Sequence, residues 1–312
     1  MFLGGLEIKM PTVFQLFNFV LLVIETLIGM VGNGFIVIVN GIDWFRSRKL
    51  SPADMILSCL GFFRFLFHAV VIQYAISILF FMKTDQFKHL KVAYYTSWLF
   101  INTADLWLGT WLSVLYCVKI ANFSHPLFLQ MKRRFPGLVP WLLLGTVVFS
   151  AISTIGTGTS KANVSKCNSF ESLLTNNSDL ENEIFNSCKY LLLLYVVPNF
   201  LPFMIFLSSS ILLLTSLWQH KKLLQNSAKD VSTEAHWNAI KALASFCILY
   251  VASFFVELLL IVLFAMGMKG IGNLFFLLNV ILAYSSGHAV ILLFINPKLK
   301  QESVKMLHQL KC

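Results

Sequence analysis

Charge is scarce in this sequence. Only 12% of its residues are Asp, Glu, Lys or Arg, while 57% are hydrophobic and the mean hydropathy is +0.76. A soluble domain of 312 residues does not hide that much apolar surface, so lipid is the solvent for most of the chain. Acidic residues are scarcer than basic ones: 14 Asp and Glu stand against 24 Lys and Arg, a formal net charge of +10. The basic residues are dispersed between apolar runs, which points to a membrane surface and an orientation signal and away from nucleic acid. The six cysteines show no metal-ligand spacing. A phosphate loop, a metal-spaced His pair on a helix and a nucleophile elbow are all missing, so no enzyme chemistry and no cofactor is expected. The absence of an internal repeat, and of a pair of matching broken helices, counts against a transporter built from repeats. No small-residue cleavage site follows the first apolar run, and a cleavable leader is not expected.

What is present is a series of long apolar runs. A spanning helix needs about 20 apolar residues. Seven spans are expected, over residues 11–40, 52–80, 92–120, 136–159, 189–218, 236–264 and 271–295. The expected fold is therefore an all-α membrane protein, a single seven-transmembrane helix bundle. Between the spans lie a long polar loop at 160–188, a basic loop at 219–235 and a basic tail at 296–312. The loops after spans one, three and five, with the tail, hold most of the Lys and Arg. The positive-inside rule then places the amino terminus outside and the carboxy terminus in the cytoplasm of a multi-pass plasma-membrane protein. The polar loop carries two glycosylation sequons, at Asn163 and Asn176, and both are expected to be extracellular. A third, at Asn122, falls in a cytoplasmic loop and should be silent. Cys167 and Cys188 share the polar segment and are a candidate disulfide, although spacing alone fixes no connectivity.

The third span, with the loop after it, organises the rest. Its outer half carries Asn102, Asp105, Trp107 and Trp111; its inner end carries Tyr116 and leads through Lys119 to Lys132, Arg133 and Arg134. Charged groups at bilayer depth cost about 2.5–3.5 kcal/mol on insertion scales, so each needs a partner or a wet cavity. Arg64 lies about 18 Å along its helix from Pro52, near mid-membrane. Asn33 and His288 lie at comparable depth in the first and seventh spans. An interhelical cluster of Asn33, Arg64 and His288 is expected, with Tyr116 below it, as either a static packing network or a bistable switch. On the outer side Trp107, Asn102, Asp105, Trp111 and Glu257 are the candidate ligand-binding residues, with an interfacial aromatic belt and an outer-loop lysine partner as the plainer readings. At the inner face Lys119, Lys132, Arg133, Lys221 and Lys222 form a cationic docking surface.

The stretch from Leu112 through Ser113, Leu115, Tyr116, Lys119, Ile120, Ala121, Asn122, Phe123 and Ser124 to His125, Pro126 and Leu129 resembles the inner end of helix three in bitter taste receptors, the type 2 taste receptor family. Other rhodopsin-like receptors place an acidic-Arg-Tyr motif there, and this chain has none. The likeness extends over almost the whole chain. Asn33, Gly34, Val39 and Asn40 resemble the family's first helix. Leu213 to Leu217 with His220 resembles the end of its fifth, and Ser232 to His236 with Ala239 and Lys241 the start of its sixth. His288 and Asn296 to Lys300 resemble its seventh. The chain departs from the pattern at Leu115, where the family usually has Phe, and at Phe63 and Ala289, where it usually has Ser. Thr103 stands where His is frequent.

The resemblance implies a G protein-coupled sensor of bitter small molecules that activates a gustducin-type heterotrimeric G protein. It implies Trp107 as the ligand-contacting tryptophan, and it adds His125, Leu217, His220, His236 and Lys241 to the G-protein-facing set. A seven-helix chemoreceptor for other ligands, such as pheromones, and a transporter or channel remain the alternatives.

Overall fold

A computed structural model describes residues 12–81, 85–121, 126–158, 178–225, 230–265 and 271–311. The described residues form α1 (Val13–Ser47), α2 (Pro52–Phe81), α3 (Asp85–Ile120), α4 (Pro126–Gly158), α5 (Ser178–Gln225), α6 (Asp230–Ala265), α7 (Ile271–Ile295) and α8 (Pro297–Lys311). Helices α1 to α7 make one bundle. α3 runs through its centre, packed against α2, α4 and α5, while α1 packs on α2 and α7, and α6 on α5 and α7.

Local chemistry sets the helix starts. Thr12 caps α1 in a reciprocal box: its Oγ1 accepts from the Gln15 N–H, and Gln15 Oε1 accepts from the Thr12 N–H at 3.0 Å. Ser51 Oγ accepts from the Asp54 N–H at 3.1 Å, with Pro52 in the first helical position of α2. Asn296 Oδ1 accepts from the Lys298 N–H at 3.1 Å and so starts α8 behind Pro297. α1 stops where Arg48 turns into the left-handed region at φ 54°.

Several helices outrun the expected spans. α4 begins at Pro126 and not near residue 136, so Lys132, Arg133 and Arg134 sit on a helix and not in a loop. Proline tolerates a first helical turn, and Pro136 and Pro140 are carried inside α4. α5 begins at Ser178, so the last part of the 160–188 segment is helical, and the tail is a helix of its own.

Among the described residues, six helices hold a stretch long and apolar enough to cross a membrane. α3 is the exception by hydropathy, because Asn102, Thr103, Asp105, Thr110 and Ser113 dilute it. Its neighbours cover it: Asn102, Thr103, Thr110 and Ser113 are all buried. Thr110 donates to the Pro202 carbonyl of α5 at 3.0 Å, and Ser113 pairs with Ser209 and Ser210 at 2.8 and 2.9 Å. Polar groups inside the bundle are thus spent on helix–helix contacts.

Small residues set the spacing on the α1 side, as Gly29 and Gly32 suggest. A Cβ at Gly29 would overlap the His68 imidazole of α2, and one at Gly32 would lie 3.0 Å from Ala289 of α7. At the basic end Lys298 Nζ meets Asp43 at 2.6 Å, Asn40 Oδ1 at 2.8 Å and Asp54 at 3.5 Å, tying the start of α8 to α1 and α2. Gly29→Ala should lower the unfolding temperature of the purified protein by an amount corresponding to about 1–3 kcal/mol. In a His68→Ala background the same change should do much less. Equal losses in both backgrounds would show that the α1–α2 approach does not limit stability.

Candidate functional site

Two polar clusters meet on α3, one helical turn apart. The deeper one is built on Arg64 of α2, whose side chain is 1% exposed. Its Nε donates to Asp105 Oδ1 of α3 at 2.7 Å. Its Nη1 hydrogen-bonds His288 Nδ1 of α7. A guanidinium only donates, so Nδ1 is the accepting nitrogen and the imidazole proton sits on Nε2. The guanidinium carbon also lies 4.5 Å from the ring centre of Tyr284, one turn from His288. One turn further along α2, His68 Nε2 meets Ser285 Oγ at 3.1 Å. The cluster therefore locks α2, α3 and α7 together at mid-bundle.

The second cluster joins α3 to α6. Asn102 Nδ2 donates to Glu257 Oε2 at 2.8 Å, and Ser253 Oγ donates to Glu257 Oε1 at 3.2 Å. All three residues are buried. Between the clusters runs a column of aromatic rings from α5, α6 and α7. Phe203 stacks on Phe254 at 4.0 Å and Phe206 on Tyr250 at 3.7 Å, while Phe246 stacks on His288 at 4.0 Å. Tyr250 returns to α3, its hydroxyl donating to the Leu106 carbonyl at 3.3 Å. Ser253, Tyr250 and Phe246 follow Glu257 backwards along α6 at three- and four-residue steps, so one stripe connects the carboxylate to His288.

Several expected residues take other places. Asp105 belongs to the Arg64 pair. Asn33 does not reach that pair; its Nδ2 donates to the Gly29 carbonyl of its own helix at 2.9 Å. Tyr116 lies three turns below Asp105, half-buried, and packs around Cys117, Leu213 and Leu217. Trp107 and Trp111 point to α4: their rings are 5.2 Å apart, Trp107 meets Phe149 at 5.5 Å, and Trp111 Nε1 donates to Thr146 Oγ1 at 3.0 Å. Five residues separate Asn102 from Trp107, which turns the helix by roughly 140° at 3.6 residues per turn. Trp107 and Trp111 lie about 7.5 and 13.5 Å further along α3 than Asn102 and on another face, so they do not line a cavity between α3, α6 and α7.

Leu217 is core, 6% exposed, and does not face a partner. Lys119 and Arg133 are exposed and Lys132 is half-buried. His220, Lys221 and Lys222 lie in α5, His236 and Lys241 in α6, and Cys188 in α5. Asn163, Asn176, Cys167 and His125 lie outside the described residues. Residues that sequence reasoning missed are Tyr250, Phe246 and Tyr284, which read as ordinary packing until their spacing is tied to His288 and Glu257. Trp98 precedes Asn102 by four residues on the same face of α3 and packs, half-buried, against the core.

The Arg64–Asp105 pair generates a double-mutant prediction. Arg64→Ala or Asp105→Ala alone strands a buried charge and should destabilise the protein by about 3–5 kcal/mol. The double variant should lose much less than the sum. Thermal unfolding of the four proteins in one detergent measures the cycle, and additive losses would contradict the pairing.

A family model described as "Taste receptor protein (TAS2R)" matches residues 10–311. Taste receptor type 2 member 1 of Pan paniscus is 34% identical over 298 residues, covering 94% of this chain and 96% of that protein. Taste receptor type 2 member 41 of Pan troglodytes is 39% identical over 248 residues, covering 73% and 75%. Member 8 of Pongo pygmaeus is 34% identical over 294 residues, covering 92% and 94%. Among solved structures, squid rhodopsin superposes with a TM-score of 0.61 at 13% identity, over 96% of this chain and 87% of that one. A central α3 bonded to both α2 and α6 is consistent with that seven-helix plan. The chain belongs to the taste receptor (TAS2R) family, and it is a multi-pass chemosensory receptor of the G protein-coupled type and not an enzyme.

Proposed function

We propose that this receptor binds bitter small molecules in the half of the bundle remote from the basic end, and that it activates a gustducin-type heterotrimeric G protein at the basic end. The observation that carries the reading is the buried Asn102–Glu257 bond between α3 and α6, one turn along α3 from the ion pair that binds α2 and α7. A ligand group that takes over either partner acts on α3 and α6 directly. The Phe246–His288 stack passes the shift of α6 to the Arg64 cluster. Activation is then a change in population between two packings of these helices. Trp98, Asn102, Ser253 and Glu257 are the recognition groups in this reading. Asp105 belongs to the relay, and Trp107 and Trp111 pack α3 against α4. Lys119, Lys132 and Arg133 supply the cationic face for the G protein.

The orientation follows the charge. The ends of α1, α3 and α5 and helix α8 carry the Lys and Arg, which favours a cytoplasmic basic end and an extracellular amino terminus in the plasma membrane. The polar segment with Asn163 and Asn176, and with the Cys167 and Cys188 pair, then faces outward.

A screen of bitter compounds on cells expressing the receptor with a gustducin-containing G protein tests the ligand class and the coupling. Trp98→Ala should lower agonist potency at unchanged surface level, and Trp107→Ala should not. Glu257→Gln should weaken amine agonists by about tenfold, equivalent to one lost charged contact of about 1.4 kcal/mol, and should spare neutral ones. Ligand-driven flux with no G protein response would overturn the reading in favour of a transporter. For orientation, glycosidase treatment should shift the wild-type mass, and the shift should vanish in the Asn163→Gln, Asn176→Gln double variant. Glycan on Asn122 would reverse the proposed sidedness.

A further inference from the structure

The first turns of α4 hold a feature that neither polar cluster uses. An open cleft of about 610 Å³ lies there, lined by Leu129, Gln130, Arg133 and Arg134. Both arginines are exposed. The ion pairs among the described residues engage Arg64, Lys298 and Lys305, and neither Arg133 nor Arg134 has a carboxylate partner there. Two adjacent guanidinium forks beside a carboxamide, in a concave space, suit an anion with several oxygens, because each fork presents paired N–H donors.

Depth narrows the anion. The long apolar stretch of α4 runs over Phe128–Ile155. Counting about 20 residues back from Ile155, the thickness of the hydrocarbon, ends near Phe135. Arg133 and Arg134 therefore stand at the level of lipid headgroups. Below them the same side of the helix is apolar and faces outward. Arg133, Gly137 and Trp141 are successive four-residue steps on one stripe, with Trp141 72% and the adjacent Leu138 49% exposed. A Cβ at Gly137 would meet nothing within 4 Å, so the stripe has a notch between the guanidiniums and the indole. The opposite face, with Phe135, Val139, Thr146 and Ser150, is buried against the bundle.

We propose that this cleft binds the phosphorylated headgroup of an anionic phospholipid. Arg133 and Arg134 take the phosphate oxygens, Gln130 donates to a further oxygen, and the Gly137–Trp141 stripe holds the glycerol and the upper acyl chains. A free anion would use the guanidiniums alone and leave the apolar stripe idle, whereas a lipid uses both. The lipid would occupy Arg133 at the edge of the proposed G protein surface, so membrane composition would set how much cationic surface is offered there. The proposal needs only a membrane-embedded bundle; it does not rest on the ligand or on the coupling.

The test uses full-length receptor in phosphatidylcholine nanodiscs containing a few per cent phosphatidylinositol 4,5-bisphosphate, with retained lipid counted by native mass spectrometry. Retention should fall by about tenfold or more in R133Q/R134Q, since each basic group near the surface contributes on the order of 1 kcal/mol. It should fall less in R133K/R134K, which keeps the charge and loses the forks. K300Q, an exposed lysine of α8 at the same end, should match wild type. Unfolding temperatures in pure phosphatidylcholine separate lost binding from lost folding. Retention unchanged in R133Q/R134Q, or lost equally in K300Q, would overturn the site. Displacement of the lipid by equimolar soluble inositol trisphosphate would assign it to a free polyphosphate instead. Loss of G protein activation with lipid retention intact would assign the cleft to the G protein surface.

Discussion

A buried charge that must be neutralised organises this receptor. Arg64 is as deep in the bundle as any residue of its size, and an unpaired guanidinium there would cost several kcal/mol. Asp105 supplies the opposite charge, and His288 and Tyr284 supply an acceptor and a ring face. Each partner comes from a different helix or turn. Satisfying one charge therefore fixes the relative positions of α2, α3 and α7. Such a pair adds little net stability compared with apolar packing, but it penalises every arrangement that separates its members. That makes it a device for selecting one packing and, in the proposed reading, for exchanging one packing for another when a neighbouring helix moves.

The neighbouring helix is α6. Its Glu257 is held by Asn102 of α3, and its Tyr250 and Phe246 reach α3 and α7 through a hydroxyl and a ring stack. Stacked rings at 3.7–4.0 Å have no slack, because close-packed interiors shift between discrete arrangements and do not deform smoothly. The two clusters share α3 and are separated by a single turn, so a disturbance at one is felt at the other without a long chain of intermediates. At the basic end, Lys298 ties α8 to α1 and α2 through part-exposed and exposed groups, a contact worth less per pair. The basic start of α4 stands apart from this lattice, and neither Arg133 nor Arg134 has a carboxylate partner among the described residues.

Much of this was legible in the chain itself. Hydropathy alone requires a membrane bundle, charge asymmetry distinguishes its two ends, and the Tyr116–Lys119–Ser124 stretch carries the family likeness. Proline and Ser, Thr or Asn at helix starts mark three of the boundaries. The need for a partner to Arg64, and His288 as one of them, also follows from sequence, because depth is a count of residues and a buried charge cannot stand alone.

Depth is one coordinate of two, and the sequence by itself determines only that one. Trp107 and Asn102 both fall in one half of α3, yet about 140° of helix rotation puts them against different neighbours. Asp105 looked like a ligand group because the partner it needed lay 41 residues away on another helix. Asn33, expected in the cluster with Arg64, instead donates to the Gly29 carbonyl of its own helix. Angular position within a bundle depends on how every helix rotates to bury its own stripe, which is a property of the assembled set. The sequence determined that there would be seven helices, a basic end and a buried charge in want of neutralisation. Only the tertiary structure decided which carboxylate answers that charge and which is held by Asn102 and Ser253 instead.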